Sequence, residues 1–251
     1  MQARPFMTET DLWHEWRRKQ RRYESWQRRV YNNLSSRAGE WQRREIDELA
    51  KEFSRFARPT GMILEIGCGA ARLAPHLSEV KFFGVDPLVQ PIDIKVKFCQ
   101  AVGEWLPFKG ESFNHVIAFG VLDHVADLDA VLSEARRVLR PGGRFSAMCQ
   151  VTPDTPGLTH AWRLARKAWV KLTRGDLSVI PRAGYFLLFR DDMFHMRRFG
   201  KAELLHLLGK HFGSVLAKER ETTLYLQAEK QPASGVACGP DPSWGAREPA
   251  P

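Results

Sequence analysis

The stretch Ile63-Leu64-Glu65-Ile66-Gly67-Cys68-Gly69-Ala70-Ala71-Arg72 decides how the rest of the chain reads. An aliphatic run that ends in glycines fits a buried parallel strand. Gly67 and Gly69 let the backbone turn sharply and leave room for a ligand against the main chain. The pattern then predicts a helix over 70–78, with Pro75 close enough to its start to be tolerated at the cost of a kink.

Such a turn serves a dinucleotide or another ligand that carries a ribose. A dinucleotide fingerprint, G-x-G-x-x-G, has a third glycine where helix and strand pack closely beside a pyrophosphate. Here that position is Arg72. The next apolar run, Lys81-Phe82-Phe83-Gly84-Val85-Asp86, ends in an acid able to accept hydrogen bonds from ribose hydroxyls. An ordinary α/β turn followed by a solvated loop acid would leave the same two marks.

Working outward, strands are expected at 81–85, 95–99, 115–119 and 144–149. Helices are expected over 40–57, 127–139 and 201–212. The second of these helices is stopped by Arg140-Pro141-Gly142-Gly143. Residues 214–217 and 223–228 read as two further strands able to form an antiparallel edge. Strands separated by helical patterns imply a parallel sheet with helices on both faces. Ligands bind such sheets outside the carboxyl ends of the strands, so Gly67, Asp86, Val102, Gly120 and His124 should converge there.

These motifs, in order, resemble the class I S-adenosylmethionine-dependent methyltransferases, in the group with a type 11 methyltransferase domain. Glu65-Ile66-Gly67-Cys68-Gly69 is similar to that family's first motif and Gly84-Val85-Asp86 to its second. The stretch around the fourth strand is matched by Gly103-Glu104-Trp105-Leu106-Pro107-Phe108 and Ser112-Phe113-Asn114-His115-Val116. Leu122-Asp123-His124-Val125 and Arg137-Val138-Leu139-Arg140-Pro141-Gly142-Gly143 complete the series. The match runs well over 59–148 and loosely over 197–230.

The resemblance implies an α/β fold: a Rossmann-like, doubly wound, mostly parallel sheet of about seven strands with an antiparallel edge strand, preceded by N-terminal helices. It also implies S-adenosylmethionine as cofactor. Gly67 and Gly69 would pack under its methionyl and ribose portions, Glu65 would help hold the methionyl amine, and Asp86 would bind the ribose. The main chain around Gly120 and Val121 would face the methionyl end. Cys68, Arg72, Pro87, Val102, Gly103 and Glu104 complete the expected cofactor contacts. Two positions depart from the family pattern: Ala71 replaces a frequent third glycine, and Val102 stands where an Asp often meets the adenine amino group. Adenine would then rely on apolar contact and on the backbone amides of Gly103 and Glu104.

The chain divides into a basic helical extension over 1–58, a methyltransferase domain over 59–230 with an insertion at 150–198, and a Pro/Gly/Ala/Ser-rich tail over 231–251 expected to be disordered. In the extension, residues 8–34 carry an apolar stripe of Leu12, Trp13, Trp16, Tyr23, Trp26, Val30 and Tyr31, interleaved with Arg17, Arg18, Arg21, Arg22, Arg28 and Arg29. That pattern suits a helix packed on the domain, a lid over an acceptor pocket, or a platform for RNA. The insertion, with its Trp/Arg/Lys helix at 160–173 and the aromatic run Tyr185-Phe186-Leu187-Leu188-Phe189, is expected to build that pocket.

Composition sets bounds. A chain of 251 residues with 43% hydrophobic content can bury one substantial core. No apolar run approaches a membrane span, and the first residues lead into charge, so a cytoplasmic protein without a membrane partner is expected. Cys68, Cys99, Cys149 and Cys238 lack metal-ligand spacing, and no metal is expected. A net charge of +9 admits an anionic partner without naming one. Nothing in the sequence sets an oligomeric state.

Displacement at a sulfonium methyl needs little beyond orientation in a dry cleft, plus a base where the nucleophile carries a proton. His124 and His195 are the candidate bases. The leading expectation is methyl transfer to oxygen or nitrogen of a small-molecule acceptor. The alternatives are an RNA (tRNA) methyltransferase and a non-catalytic binding module of the same fold.

Overall fold

The computed structural model describes residues 40–77, 80–88, 96–151, 162, 166, 169, 172–173, 199–220 and 223–231. The expected basic helix at 8–34, most of the insertion with His195, and the tail at 232–251 lie outside the described residues.

Strands β1 (Met62–Ile66), β2 (Lys81–Asp86), β3 (Lys97–Gln100), β4 (Phe113–Phe119), β5 (Leu139–Gln150), β6 (Val215–Arg220) and β7 (Thr223–Glu229) make one seven-stranded sheet in the order β3-β2-β1-β4-β5-β7-β6. The first five pair in parallel, and β7 runs antiparallel to both β5 and β6. The antiparallel edge expected from residues 214–217 and 223–228 therefore forms, with β7 inside and β6 outermost. Burial explains the choice: β7 hides Leu224, Tyr225, Leu226 and Ala228 between its neighbours, whereas most of β6 is exposed. Arg140 to Gly143 are absorbed where the register between β4 and β5 shifts.

Among the described residues, helices pack on both faces. On one side α1 (Glu40–Ala57) sets Ala50, Phe53 and Ala57 against Ile63, Leu73, Ile117, Met148 and Tyr225. Complete burial of Phe53 alone is worth about 2 to 3 kcal/mol. The helix runs from the carboxyl ends of the strands, where Asp47 meets Arg72, to their amino ends, where Gln227 donates to the Ala57 carbonyl. It is thus part of the packed body, although residues 40–57 fall within the extension expected over 1–58.

On the other side lie α2 (Leu128–Val138) and α3 (Lys201–Phe212), with Leu128, Val131, Leu132, Ala135, Leu204, Leu208 and Phe212 buried. Asp129 of α2 holds Lys210 and His211 of α3, each at 2.9 Å.

Beneath α1 a polar chain is fully enclosed. His115 Nε2 lies 2.8 Å from Ser146 Oγ, and Gln227 Nε2 donates to the same hydroxyl at 3.2 Å. Burial, with Arg144 nearby, pushes the His115 pKa down to about 3, so the ring is neutral.

The helix expected over 70–78 does not form. Residues 69–73 are turns, followed by one 3-10 turn at Ala74–His76, and each bond is of the i to i−3 kind: Ala71 N to Cys68 O, Ala74 N to Ala71 O, His76 N to Leu73 O. Two features forbid an α-helix. Ala71 is left-handed, at φ +51°, and Pro75 has no N–H to offer its carbonyl four residues back.

Candidate active site

At the carboxyl ends of the strands, the turn after β1 is assembled by its neighbours. Cys68 N donates to the Val85 carbonyl at 3.0 Å, and Gly69 N to Asp86 Oδ2 at 2.9 Å. Leu88 N donates to Asp86 Oδ1 at 2.8 Å. Gly67, at φ +67°, lies directly under Val121: a Cβ there would come within 2.3 Å of a Val121 methyl. The turn after β4 therefore closes onto the turn after β1, and only glycine permits it.

Two acids meet in this corner. Strand alternation puts Glu65 on the α1 side of the sheet with Ile63. Its side chain is 2% exposed, and its Oε2 is buried with no hydrogen-bond partner. Burial first, and Asp86 second, raise its pKa well above the ordinary carboxylate value. Burial also raises Asp86, opposed by the two N–H groups it accepts. The same burial and the same two carboxylates push the Cys68 thiol up, so it stays protonated and contributes volume rather than nucleophilicity.

Past β3 the chain folds over the site from the other side. Val102 and Trp105 form an antiparallel bridge, Trp105 N donates to Val102 O at 3.2 Å, and Gly103 is so close to Ile66 that a Cβ would sit 2.8 Å from its methyl. Pro87 is fixed through its carbonyl by Gln100 Nε2 at 2.9 Å. After β4, Gly120 is exposed at φ +67°, and its N–H goes to Met148 O. A single 3-10 turn, Leu122–His124, follows. Its His124 Nε2 lies 3.5 Å from Asp123 Oδ1, with the carboxylate side chain 10% and the imidazole 21% exposed.

Gly67, Asp86, Val102, Gly120 and His124 thus lie at the carboxyl ends of the strands, as expected, and Val121 lies beside them. Two residues expected at the cofactor, Glu104 through its backbone amide and Arg72, have side chains with other partners. The Glu104 carboxylate accepts from Ala126 N at 2.8 Å and Asp127 N at 3.3 Å and so fastens the entry to α2, leaving only its backbone for a ligand. The Arg72 guanidinium is paired with Asp47 of α1. Asp86, expected as a ribose acceptor alone, also holds the turn, which binds it to the fold. Trp105 was not singled out as a site residue, yet it is 39% exposed on the rim. An aromatic inside a turn of Gly, Glu and Pro was the available signal.

The corner fits a ligand bearing a cationic amine and a ribose. It holds an orphaned buried carboxylate oxygen, a second acid with lone pairs left beyond its two N–H partners, and an open backbone at Gly120. Residues 64–147, which span all of these turns, match the family described as "Methyltransferase domain". The segment is a methyltransferase domain.

Among relatives of this methyltransferase domain, a ubiquinone/menaquinone biosynthesis C-methyltransferase of Hahella chejuensis is 35% identical over 116 residues, 46% of this chain and 43% of that protein. A sterol 24-C-methyltransferase of Gibberella zeae is 27% identical over 162 residues, 54% of this chain and 42% of that protein. The chain spans less than half the length of these relatives. In structure it resembles the 1,6-didemethyltoxoflavin-N1-methyltransferase of Burkholderia thailandensis, solved with S-adenosylhomocysteine, at a TM-score of 0.58 and 17% identity over 92% of this chain and 94% of that one. A SAM-dependent methyltransferase of Thermotoga maritima matches at a TM-score of 0.56 and 19% identity, over 81% and 99% of the two chains. At these identities the likeness is one of fold, the Rossmann-like fold with the strand order described above.

Proposed function

We propose that the chain is an S-adenosylmethionine-dependent methyltransferase acting on a small apolar acceptor. The observation that carries the reading is the unpartnered, buried carboxylate oxygen of Glu65 beside Asp86, at the turn where Val121 closes over Gly67. An unpaired buried acid is costly unless a cation completes it. The methionyl ammonium would complete Glu65, and the ribose would take the remaining lone pairs of Asp86. The backbone of Gly103 and Glu104, with Val102 and Trp105, would border the adenine. The sulfonium supplies an activated methyl group. The protein's share is then to orient the acceptor, exclude water, and remove a proton where the acceptor has one. His124, whose Nε2 lies 3.5 Å from Asp123 Oδ1, would be the base for that last role.

For the acceptor, the sequence relatives are named as a C-methyltransferase of ubiquinone/menaquinone biosynthesis and a sterol 24-C-methyltransferase, which favours carbon over the oxygen or nitrogen expected from sequence. RNA is the second reading, and its support is the basic stretch at 8–34. Calorimetry is expected to give binding of S-adenosylmethionine and S-adenosylhomocysteine; binding of a nicotinamide cofactor instead would refute the reading. With labelled methyl donor and cell extract, label should pass into the solvent-extractable fraction. Label lost on nuclease treatment would move the acceptor to RNA.

A further inference from the structure

Trp162, Arg166, Trp169, Leu172 and Thr173 are helical. Steps of four, three and three residues from 162 to 172, with 173 four beyond 169, put these positions on one side of a helix. Its apolar side chains are accessible: Trp162 and Trp169 are each 67% accessible, the most exposed large hydrophobic side chains among the described residues, and Leu172 is 37% accessible. The Arg166 guanidinium stands 5.9 Å from the centre of the Trp162 ring. Between Asp154 and Asp176 the sequence has Arg163, Arg166, Lys167, Lys171 and Arg174 and no acid.

We propose that this helix docks on an anionic lipid bilayer, lying in the plane of the headgroups with both indoles and Leu172 inserted and the basic stretch supplying the charge match. Indole suits that boundary because its ring is apolar and its N–H is polar. A cationic helix with aromatic and Leu side chains on one side is the pattern that partitions to such a surface. RNA fits less well. Arg166 stands over one face of the Trp162 ring, and Leu172 has no stacking face at all. The proposal departs from the expectation of no membrane partner, which was drawn from the lack of a spanning run; no described helix is long and apolar enough to cross. A helix that lies on the surface requires no span. The proposal is independent of methyl transfer: docking would survive a failed cofactor titration, and cofactor binding would survive failed docking.

The test is co-sedimentation of the full chain with vesicles of phosphatidylcholine alone and of phosphatidylcholine mixed with phosphatidylglycerol. Binding is expected to the mixed vesicles and to fall at least about tenfold when Trp162→Ser and Trp169→Ser are combined, since two inserted rings are lost. Circular dichroism and calorimetry with S-adenosylhomocysteine should match the parent protein. Quenching of the parent's tryptophan fluorescence by brominated lipid provides a reading that needs no variant. No sedimentation with anionic vesicles, unaltered binding of the double variant, absence of quenching, or displacement from vesicles by single-stranded RNA would each overturn the proposal.

Discussion

Glu65 and Glu104 are both glutamates buried at the same end of the sheet, 2% and 5% exposed, and burial raises the pKa of each. Their surroundings differ in one respect. Glu104 accepts two backbone N–H groups at the start of α2, whereas Glu65 Oε2 accepts none. A fold that can satisfy one buried acid with main-chain donors, within a few residues of the cleft, has left the other unsatisfied. The first acid is a fastening. The second is a site that a ligand completes, held at a cost to the ligand-free protein.

The largest effect should come from the fastening. Glu104→Ala strands the Ala126 and Asp127 N–H groups, and such a loss is expected to cost about 2 to 4 kcal/mol in chemical denaturation. Glu104→Gln retains a carbonyl acceptor and should recover most of it. Equal losses for Ala and Gln would mean that charge, and not the bonds to the α2 entry, is what Glu104 contributes.

Glu65→Gln should invert that outcome. On the proposed reading, affinity for S-adenosylmethionine falls by roughly 1.5 to 3 kcal/mol, since a charged partner of the amine is removed. Stability of the ligand-free protein should hold or rise at neutral pH. The sign follows from the raised pKa. The folded state binds this proton more tightly than the unfolded chain, so Glu65 costs least below the ordinary value of 4.5. Its cost grows as pH climbs from there through the folded value, and Gln escapes it. Cofactor binding should correspondingly release a proton when it fixes Glu65 as the anion. Calorimetry in two buffers of different ionisation enthalpy would detect that release, and its persistence in Glu65→Gln would locate the proton elsewhere.

What could be read from sequence divides along the same line. Glu65, Gly67 and Asp86 were legible because strand, turn and acid are local patterns with a chemical reason for their spacing. The order of elements and the bounds of α1 and α3 were legible from periodicity, and α2 was placed to within a residue at each end, its C-terminus by the Pro-Gly stop. The role of Glu104 was not legible, because its donors lie 22 and 23 residues further on and meet it only once α2 packs. Arg72 reaches Asp47 across 25 residues for the same reason. The hidden duty of Asp86 toward Gly69 depends on two strands lying side by side, which no local window contains. The missing helix after β1 was legible and was misjudged: Pro75 was weighed as a kink when, together with a left-handed residue before it, it is a stop.

That left-handed residue gives the smallest and most local test. Ala71 holds φ +51° in the turn that Gly67 and Gly69 begin, and its backbone N–H closes onto Cys68 O at 2.6 Å. An L-residue with a Cβ loses about 1 kcal/mol in this conformation, whereas glycine enters it freely. Against that, glycine has more freedom to lose from the unfolded chain, which takes back a few tenths of a kcal/mol to about 1 kcal/mol. Ala71 is buried, so a small packing loss also opposes the gain. The expected balance for Ala71→Gly is therefore slight, between neutral and about 0.5 kcal/mol stabilising. Ala71→Val should lose about 1 to 2 kcal/mol, because β-branching makes left-handed backbone worse. The pair discriminates where single values would not. If Val is tolerated as well as Gly, the turn can relax out of its left-handed form, and the corner that holds Glu65 and Asp86 is softer than its hydrogen bonds imply.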